Sequence, residues 1–284
     1  MPIFKSPAKI NLFLRVLRKR QDNYHDIFSL MQPVSLYDEV AVEISKGDLI
    51  TVACSRPDLP TDSSNIAFRA AELFLKRTGL KRRVDIRINK NIPVGAGLGG
   101  GSSNAATVLK ACDSLLKTNI NEKELMNIAA ELGSDVPFFI LDVPALAHGR
   151  GEVLKKVIIA PYAYVLVNPG FMVSTAWVYG NLDLTNISED NILSYSDEVY
   201  ADIDSLVKLF VNDLEAVTLR KHPELLGVKS ALIESGAVQA LMSGSGPTVF
   251  GIFRSKALAD IAARGLTERF IGKGYSVFSV EGVV

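Results

Sequence analysis

The spacing of apolar and polar residues predicts a chain that mixes strands with helices. Apolar and polar residues alternate over 3–17 and 84–89, which is typical of strands with one buried face. Shorter apolar runs predict further strands at 39–45, 49–54, 164–167, 238–242, 248–253 and 275–280. Helical spacing predicts helices at 65–78, 102–117, 121–132, 203–219 and 223–235, and Ser255 is expected to begin a last helix.

Several segments between these elements have the composition of caps and turns. Gly79 stands where a helix commonly ends, and Asn121 is placed to cap the next predicted helix. Residues 148–151, with the sequence HGRG, predict a tight turn between two strands. Residues 181–199 are polar and rich in turn formers, which predicts a mobile loop.

The most informative stretch is the glycine loop, which we define as residues 93–101 of the sequence PVGAGLGGGSSNAA at 93–106. Glycine can turn its backbone N–H groups toward one point, and the following helix adds unpaired N–H groups and the positive end of its dipole. Such an arrangement binds anions, most often phosphate. The alternative is a flexible surface linker, although linkers seldom lead directly into a helix with an apolar face. We therefore expect a phosphate site.

Two common phosphate-binding scaffolds fit this loop poorly. Gly95, Gly97 and Gly100 satisfy the dinucleotide pattern GxGxxG, but that match alone is weak. The preceding strand alternates, whereas the first strand of a dinucleotide fold is buried on both faces and continuously apolar. A Walker A loop is excluded because no Lys-Ser or Lys-Thr follows the glycines. An NAD-dependent oxidoreductase stays open as an alternative.

Composition narrows the class of protein. The chain has 284 residues, enough for two domains, and 31 basic residues balance 31 acidic ones. With that balance the protein has no overall positive charge that would attract nucleic acid or an anionic membrane, and we expect neither as a partner. No apolar run reaches the length of a membrane span, and the N-terminus lacks a signal-peptide pattern. With only Cys54 and Cys112, at no metal-binding spacing, a reduced, cytoplasmic protein is expected.

The glycine loop, together with SPAKINLFL at 6–14 and LMSGSGPTVFG at 241–251, resembles the three motifs of the GHMP kinases, in the same order. Tyr24-His25 and GSDVPFF at 133–139 resemble the branch that acts on a cytidine diphosphate substrate. The resemblance covers essentially the whole chain. It implies an α+β, two-domain fold: an ATP-binding N-terminal α/β domain like ribosomal protein S5 (1–155) and a ferredoxin-like α+β C-terminal domain on the substrate side (156–284). The active site is then expected in the cleft between them. For the last strand two alternatives stay open: it packs within the second domain, or it packs back on the first.

The activity that this resemblance implies is transfer of the γ-phosphoryl group of ATP to the C2 hydroxyl of 4-diphosphocytidyl-2-C-methyl-D-erythritol. Lys9 and Asp135 are the implied catalytic residues: Asp135 accepts the proton of the hydroxyl and Lys9 keeps that carboxylate ionised. The implied nucleotide contacts are Asn65, Pro93, Val94, Gly95, Ala96, Gly97, Leu98, Gly99, Gly100, Gly101, Ser102, Ser103, Gly244 and Ser245. The implied substrate contacts are Asn11, Tyr24, His25, Asp135 and Tyr179. Mg²⁺ is expected with ATP, with Ser102 or Ser103 as a candidate ligand.

Simpler interpretations remain beside these roles. Without the resemblance, Lys9 would be interpreted as a solvated lysine on a strand, Asn65 as a helix cap and Asp135 as a turn residue. Tyr24 and Tyr179 would be ordinary core aromatics. Another GHMP kinase, acting on homoserine or mevalonate, and a catalytically silent nucleotide-binding module are the further alternatives. The resemblance places His148 and Arg150 near the substrate without a role, and no oligomeric state is predicted.

Overall fold

The computed structural model describes residues 1–183, 200 and 202–283, so most of the predicted mobile loop at 181–199 lies outside the described residues. The described strands are β1 (Ile3–Lys19), β2 (His25–Ser45), β3 (Ile50–Cys54), β4 (Arg83–Asn89), β5 (Ala145–His148), β6 (Val153–Lys156), β7 (Ala163–Asn168), β8 (Gln239–Met242), β9 (Val249–Phe253) and β10 (Ser276–Glu281). The described helices are α1 (Ile66–Thr78), α2 (Gly100–Leu116), α3 (Glu122–Leu132), α4 (Val136–Leu141), α5 (Thr175–Gly180), α6 (Ile203–Leu206), α7 (Glu215–Lys221), α8 (Glu224–Glu234) and α9 (Lys256–Arg269).

The pattern of contacts divides the chain into two compact units. Unit 1 consists of residues 1–8, 36–92 and 99–142, and unit 2 consists of 9–35, 93–98 and everything from Val143 onward. Neither unit is continuous in sequence, because β1 and β2 each begin in one unit and end in the other. The mixed α/β architecture is as expected. The single domain boundary at 155/156 stays a prediction.

Unit 1 packs its helices against a short mixed sheet. β4 runs antiparallel to the second half of β2 and parallel to β3. Its apolar residues Val84, Ile86 and Ile88 are buried, as the alternation predicts. Helix α1 begins at Asn65, whose side chain accepts the N–H of Ala67, and it ends at a left-handed glycine. α1 and α2 lie against each other and form most of the helical layer.

Helix α2 also carries the buried cysteine. Cys112 is fully buried on its apolar side, and burial raises the pKa of the thiol to about 12. Cys112 is therefore a buried structural thiol rather than a reactive one.

Unit 2 is built around a four-stranded antiparallel sheet in the order β10-β7-β9-β8. Helices α8 and α9 pack on it, and the core includes Val165, Val167, Leu232, Phe253 and Leu266. The first half of β2 pairs with β5, and β5 with β6, through the predicted turn at 148–151. Among the described residues, no helix is both long enough and apolar enough to cross a bilayer.

Several segments differ from the predicted helices, among them α5, which was not predicted. α2 begins at Gly100 rather than at residue 102, with Gly99 in a left-handed conformation as its N-cap. The predicted helix at 203–219 is interrupted between α6 and α7, because β1 hydrogen-bonds there: Leu14 donates to Val211 and accepts from Asp213. The fully buried α4 was not predicted, since its Pro137 reads as a turn residue although proline suits a first helical turn.

Candidate active site

The first half of the glycine loop, residues 93–98, belongs to unit 2 and is bonded to the rest of that unit through its carbonyl groups. Four consecutive carbonyl oxygens, those of Gly95, Ala96, Gly97 and Leu98, accept hydrogen bonds from the protein. Their donors are the backbone N–H of Val173 (3.2 Å), the backbone N–H of Thr248 (3.4 Å), the hydroxyl of Ser243 (2.9 Å) and the backbone N–H of Lys9 (3.0 Å), respectively.

This bonding fixes the direction of the peptide groups. In a trans peptide, the C=O of one residue and the N–H of the next point in opposite directions. Since the carbonyls of 95–98 point toward protein donors, the N–H groups that follow them are directed away from those donors. Ala96 and Leu98 are buried and anchor the loop, while Gly95 is exposed. The loop thus presents successive N–H groups, which is the geometry of an anion-binding concavity.

The backbone of Gly97 lies directly against the backbone of the turn at 243–247. A Cβ on Gly97 would lie 2.1 Å from the backbone oxygen of Ser243, and Gly97 has a φ of 76°. Both facts require glycine at this position. The third motif and the glycine loop are therefore in direct contact.

Gly244 and Ser245, the two residues of this turn that were predicted to contact the nucleotide, are held in place by side chains from other parts of unit 2. The side chain of Asn212 donates to the carbonyl of Gly244 at 2.7 Å, and the hydroxyl of Thr218 donates to the carbonyl of Ser245 at 3.1 Å. The hydroxyls of Ser245 and Thr175 lie 2.8 Å apart. No local pattern marks Asn212, Thr175 or Thr218, because each is distant from the turn along the chain.

The second half of the loop belongs to unit 1 and opens α2. The N-cap is Gly99, which has no side chain to bond the N–H groups of the first turn, and that turn carries no acidic residue. An anion at this end would therefore meet both free donors and the positive end of the dipole. Ser102 is half-buried, whereas the hydroxyl of Ser103 is buried and accepts a hydrogen bond from Ser6 at 2.8 Å.

Lys9 and Asn11 share one face of β1, as the alternation predicts. Lys9 is buried, and its ammonium donates to the side-chain oxygen of Asn11 at 2.6 Å. Asn11 in turn donates to the hydroxyl of Ser29 at 2.8 Å, and Ser29 donates to the carbonyl of Phe13. This chain of hydrogen bonds fixes the lysine inside the protein, so Lys9 is not the solvated edge residue of the simpler interpretation.

Asp135 lies in unit 1, in the short connection from Gly133 to α4. It is half-buried, has helical backbone angles (φ −85°, ψ −11°), and its side chain does not cap α4. The carboxylate is thus placed by the start of a buried helix. Lys9 belongs to unit 2 and Asp135 to unit 1, and their pairing stays a prediction.

Two of the three predicted substrate aromatics are in contact with each other, within unit 2. The rings of His25 and Tyr179 stack, with centroids 4.9 Å apart, next to Tyr24, which is 52% exposed. Burial, assisted by the positive charge of Lys19, lowers the pKa of His25, so its ring is neutral near pH 7. A stacked neutral ring beside an exposed tyrosine can take up a flat base.

The turn at 148–151 borders these aromatics. The guanidinium of Arg150 lies 4.9 Å from the centre of the Tyr24 ring, and His148 stacks on Phe28 at 4.7 Å. Burial lowers the pKa of His148. The backbone N–H of Ile27 bonds to the carbonyl of Gly149 at 2.7 Å, which ties the turn to β2.

Asn65 has a clear structural task. Its side-chain oxygen caps α1, and its amide donates to the carbonyl of Pro60 at 2.7 Å. The capping alternative accounts for these contacts, and an adenine contact stays a prediction.

Beneath the start of α2 lies a buried polar cluster that was not predicted. Asp38 accepts hydrogen bonds from Asn91, Ile92, Asn104 and Lys90. The members lie on three separate stretches of chain, so no local motif marks them.

Two family models match the chain. The model for the GHMP kinases N terminal domain matches residues 65–150, and the model for the GHMP kinases C terminal matches residues 198–272. The first match contains the glycine loop and Asp135, and the second contains the turn at 243–247.

The chain is also similar to named relatives over its full length. It is 47% identical to a 4-diphosphocytidyl-2-C-methyl-D-erythritol kinase of Syntrophotalea carbinolica, over 100% of the chain and 99% of the relative. A protein of the same name from Syntrophus aciditrophicus is 47% identical over 98% of both. A crystal structure of a 4-(cytidine 5'-diphospho)-2C-methyl-D-erythritol kinase superposes with a TM-score of 0.83 at 33% identity, covering 100% of each chain. A homoserine kinase from Cytophaga hutchinsonii shares the fold, with a TM-score of 0.76 at 20% identity over 99% of this chain and 94% of that one.

Proposed function

The chain belongs to the GHMP kinase family and is a small-molecule kinase, and we propose that it transfers the γ-phosphoryl group of ATP to the C2 hydroxyl of 4-diphosphocytidyl-2-C-methyl-D-erythritol. The products are the 2-phosphate and ADP, in the non-mevalonate route to isoprenoid precursors. The full-length similarity to kinases of that name supports this substrate over homoserine or mevalonate. The observation that carries the nucleotide site is the row of four carbonyls, 95–98, bonded to the protein.

The phosphates of ATP would be bound by the N–H groups of the glycine loop and the first turn of α2. Phosphoryl transfer depends mainly on positioning and on neutralising charge on the transferred group. Donors fixed before the substrate arrives need no reorganisation during the reaction. The carbonyl bonds of residues 95–98 and the close contact of Gly97 with Ser243 supply that rigidity.

Asp135 would accept the proton of the attacking hydroxyl, and Lys9 would stabilise negative charge in the site. A general base of this kind contributes about 10²- to 10⁴-fold to the rate. The attacking group is a tertiary alcohol, which is crowded, so its orientation matters more than its activation. The buried chain from Lys9 through Asn11 to Ser29 supports a fixed position for the ammonium.

Tyr24, His25 and Tyr179 would hold the cytosine of the substrate. Aromatic rings stack on bases with offset geometry and gain energy beyond the area they bury. The exposed face of Tyr24 and the stacked pair of His25 and Tyr179 support this assignment. Arg150, over the Tyr24 ring, adds a positive charge beside the same platform.

The chain's own residues fit a Mg²⁺ ion that arrives with ATP. The described residues hold no group of three His, Cys, Asp or Glu side chains able to enclose a metal. Mg²⁺ in kinases is commonly bound by one or two protein oxygens together with substrate phosphates. The hydroxyl of Ser102 is the better candidate ligand, because that of Ser103 is buried against Ser6. When bound, the ion would neutralise charge on the phosphates.

The experiment that tests the proposal is ADP release measured by a coupled assay, with one alcohol substrate at a time. ADP should form with the cytidylyl substrate and stay at the background rate with homoserine or mevalonate. Release with mevalonate alone would assign the chain to another GHMP kinase activity. Binding of NAD without binding of ATP would refute the kinase proposal altogether.

A further inference from the structure

Asp38 is the most completely enclosed carboxylate of the described part of unit 1 that the reaction leaves unused. It is 0% exposed and stands in the second half of β2. A carboxylate costs a large free energy to bury unless every oxygen is hydrogen-bonded. Here each oxygen accepts two hydrogen bonds, and the two oxygens serve different elements.

One oxygen holds the chain that enters the glycine loop. Oδ1 of Asp38 accepts the backbone N–H groups of Asn91, at 2.7 Å, and of Ile92, at 2.8 Å. These two residues immediately precede Pro93, the first residue of the loop. Two hydrogen bonds to consecutive N–H groups fix both the position and the direction of the chain there.

The other oxygen holds the helix that leaves the loop. Oδ2 of Asp38 accepts the side-chain amide of Asn104, in the second turn of α2, at 2.9 Å, and it accepts a hydrogen bond from the ammonium of Lys90. The ammonium also donates to the side-chain oxygen of Asn104 at 3.1 Å. One carboxylate therefore connects the two ends of the glycine loop.

The cluster also places a buried cation at the positive end of α2. A Cβ on Gly100 would lie 3.1 Å from the ammonium of Lys90, so the charge sits beside the first turn of the helix. A cation there is unfavourable next to the helix dipole unless an anion compensates it. Asp38 is that anion, and both side chains are almost fully buried.

From this geometry we propose that Asp38 is a positioning residue for nucleotide binding, which sets the distance and direction between the entry to the glycine loop and the start of α2. It touches no substrate. It acts by holding the N–H groups at the start of α2 in a fixed position relative to the chain that enters the loop. This inference rests on the proposed function, because it takes the glycine loop as the nucleotide site.

The test compares Asp38→Asn with an exchange variant, Asp38→Asn combined with Asn104→Asp. In the single variant the amide oxygen can still accept from Asn91 and Ile92, but its NH₂ faces the donors of Lys90 and Asn104. The exchange returns an acceptor to the helix side and keeps the buried charge balanced. ADP affinity is measured by calorimetry, and KM by steady-state kinetics for ATP and for the cytidylyl substrate.

We expect Asp38→Asn to weaken ADP binding and to raise the KM for ATP by about tenfold or more, because small displacements of binding groups carry large effects. The KM for the cytidylyl substrate should change less than about twofold, and the exchange should recover most of the ADP affinity. Asp113→Asn is the matched control. Asp113 lies near the other end of α2, where it accepts from Thr118 and Ile120, so its loss should lower stability without changing ADP affinity.

A folded Asp38→Asn variant with unchanged ADP affinity would overturn the proposal. Equal rises in the two KM values, with no recovery in the exchange variant, would also overturn it, since they indicate general damage. If the single variant does not fold, the exchange variant decides. An exchange variant with the ADP affinity of the wild type supports the positioning role, and a folded exchange variant that does not bind ADP contradicts it. ADP binding is measured without the cytidylyl substrate. If the proposed alcohol substrate is wrong, the result of the ADP-binding test therefore stays valid.

Discussion

The side-chain hydroxyl of Ser243 donates a hydrogen bond to the carbonyl of Gly97 at 2.9 Å, while its backbone oxygen fills the place where a Cβ of Gly97 would stand. Ser243 thus holds the loop by a hydrogen bond and also excludes any residue with a Cβ from position 97. The contact joins two stretches of chain that lie 146 positions apart. It makes the shape of the glycine loop depend on the turn at 243–247.

Gly97→Ala should therefore be severely destabilising. The new Cβ meets a backbone oxygen at 2.1 Å, and the residue must also keep a φ of 76°. We expect a loss of at least about 3 kcal/mol in the free energy of unfolding, together with weaker ATP binding. Chemical denaturation and the KM for ATP measure the two effects.

Gly79→Ala is the control for the backbone conformation alone. Gly79 has a similar φ, 67°, and nothing lies within 4 Å of its Cβ position. Its substitution should cost about 1 kcal/mol and leave the KM for ATP unchanged. Equal losses in the two variants would show that the contact with Ser243 contributes little.

Asp135→Asn should remove most turnover and leave nucleotide affinity nearly intact. An amide has the shape of the carboxylate but cannot accept the proton of the hydroxyl, so kcat is expected to fall by about 10²-fold or more. Asp142→Asn is the matched control, because Asp142 ends the same short helix and bonds to Lys110. A folded Asp135→Asn variant that keeps more than a tenth of the wild-type rate would contradict the role of Asp135 as base.

Tyr24→Ala should raise the KM for the cytidylyl substrate while the KM for ATP stays nearly constant. Removal of the exposed ring takes away stacking worth about 1 kcal/mol, so a rise of roughly fivefold is expected. Tyr24→Phe keeps the ring and should behave like the wild type. His25→Ala should act in the same direction as Tyr24→Ala. Equal changes in the two KM values would argue against a cytosine platform.

The melting temperature should fall as the pH drops from 7 toward 5. Burial lowers the pKa of His25 and of His148 in the folded state, so the unfolded chain binds protons first. Their contribution to stability is complete above the unfolded pKa of about 6.5 and is lost as the pH falls through the lower folded value.

The double variant His25→Gln, His148→Gln tests this assignment. It should be less sensitive to pH between 7 and 5 than the wild type, whatever its melting temperature at pH 8. Asp26 titrates in a separate range: its hydrogen bonds with Arg20 and then Arg18 lower its pKa, so its contribution is lost only below about pH 4. An unchanged slope between pH 7 and 5 in the double variant would assign the effect to other groups.

Local signals were enough to predict most helices and strands. Asn65 and Gly79 bound α1, Asn121 begins α3, and the alternation of β4 matches its buried face. The first half of β2 was missed because it is buried throughout, so no alternation marks it. The break before α7 was missed because its cause is a bridge to Leu14, far away along the chain.

The candidate site follows the same division. The glycine loop, Lys9 and Asp135 lie in compact motifs: the loop was predicted as a phosphate site from its own residues, and the roles of Lys9 and Asp135 were predicted from the resemblance. Asp38 and Asn212 were not, because each is a single polar residue whose partners lie on other stretches of chain. A residue that positions a motif has no local pattern of its own, and only the folded structure brings it to the motif.

The interleaving of the two units limits how such an enzyme can be recombined. Unit 1 is assembled from three separate stretches of sequence, and so is unit 2. A single crossover in the gene at any point between residues 9 and 142 therefore splits both units at once, and a fragment that ends there leaves strands without their neighbours. Chimeras between relatives should stay folded only when all three stretches of a unit are exchanged together.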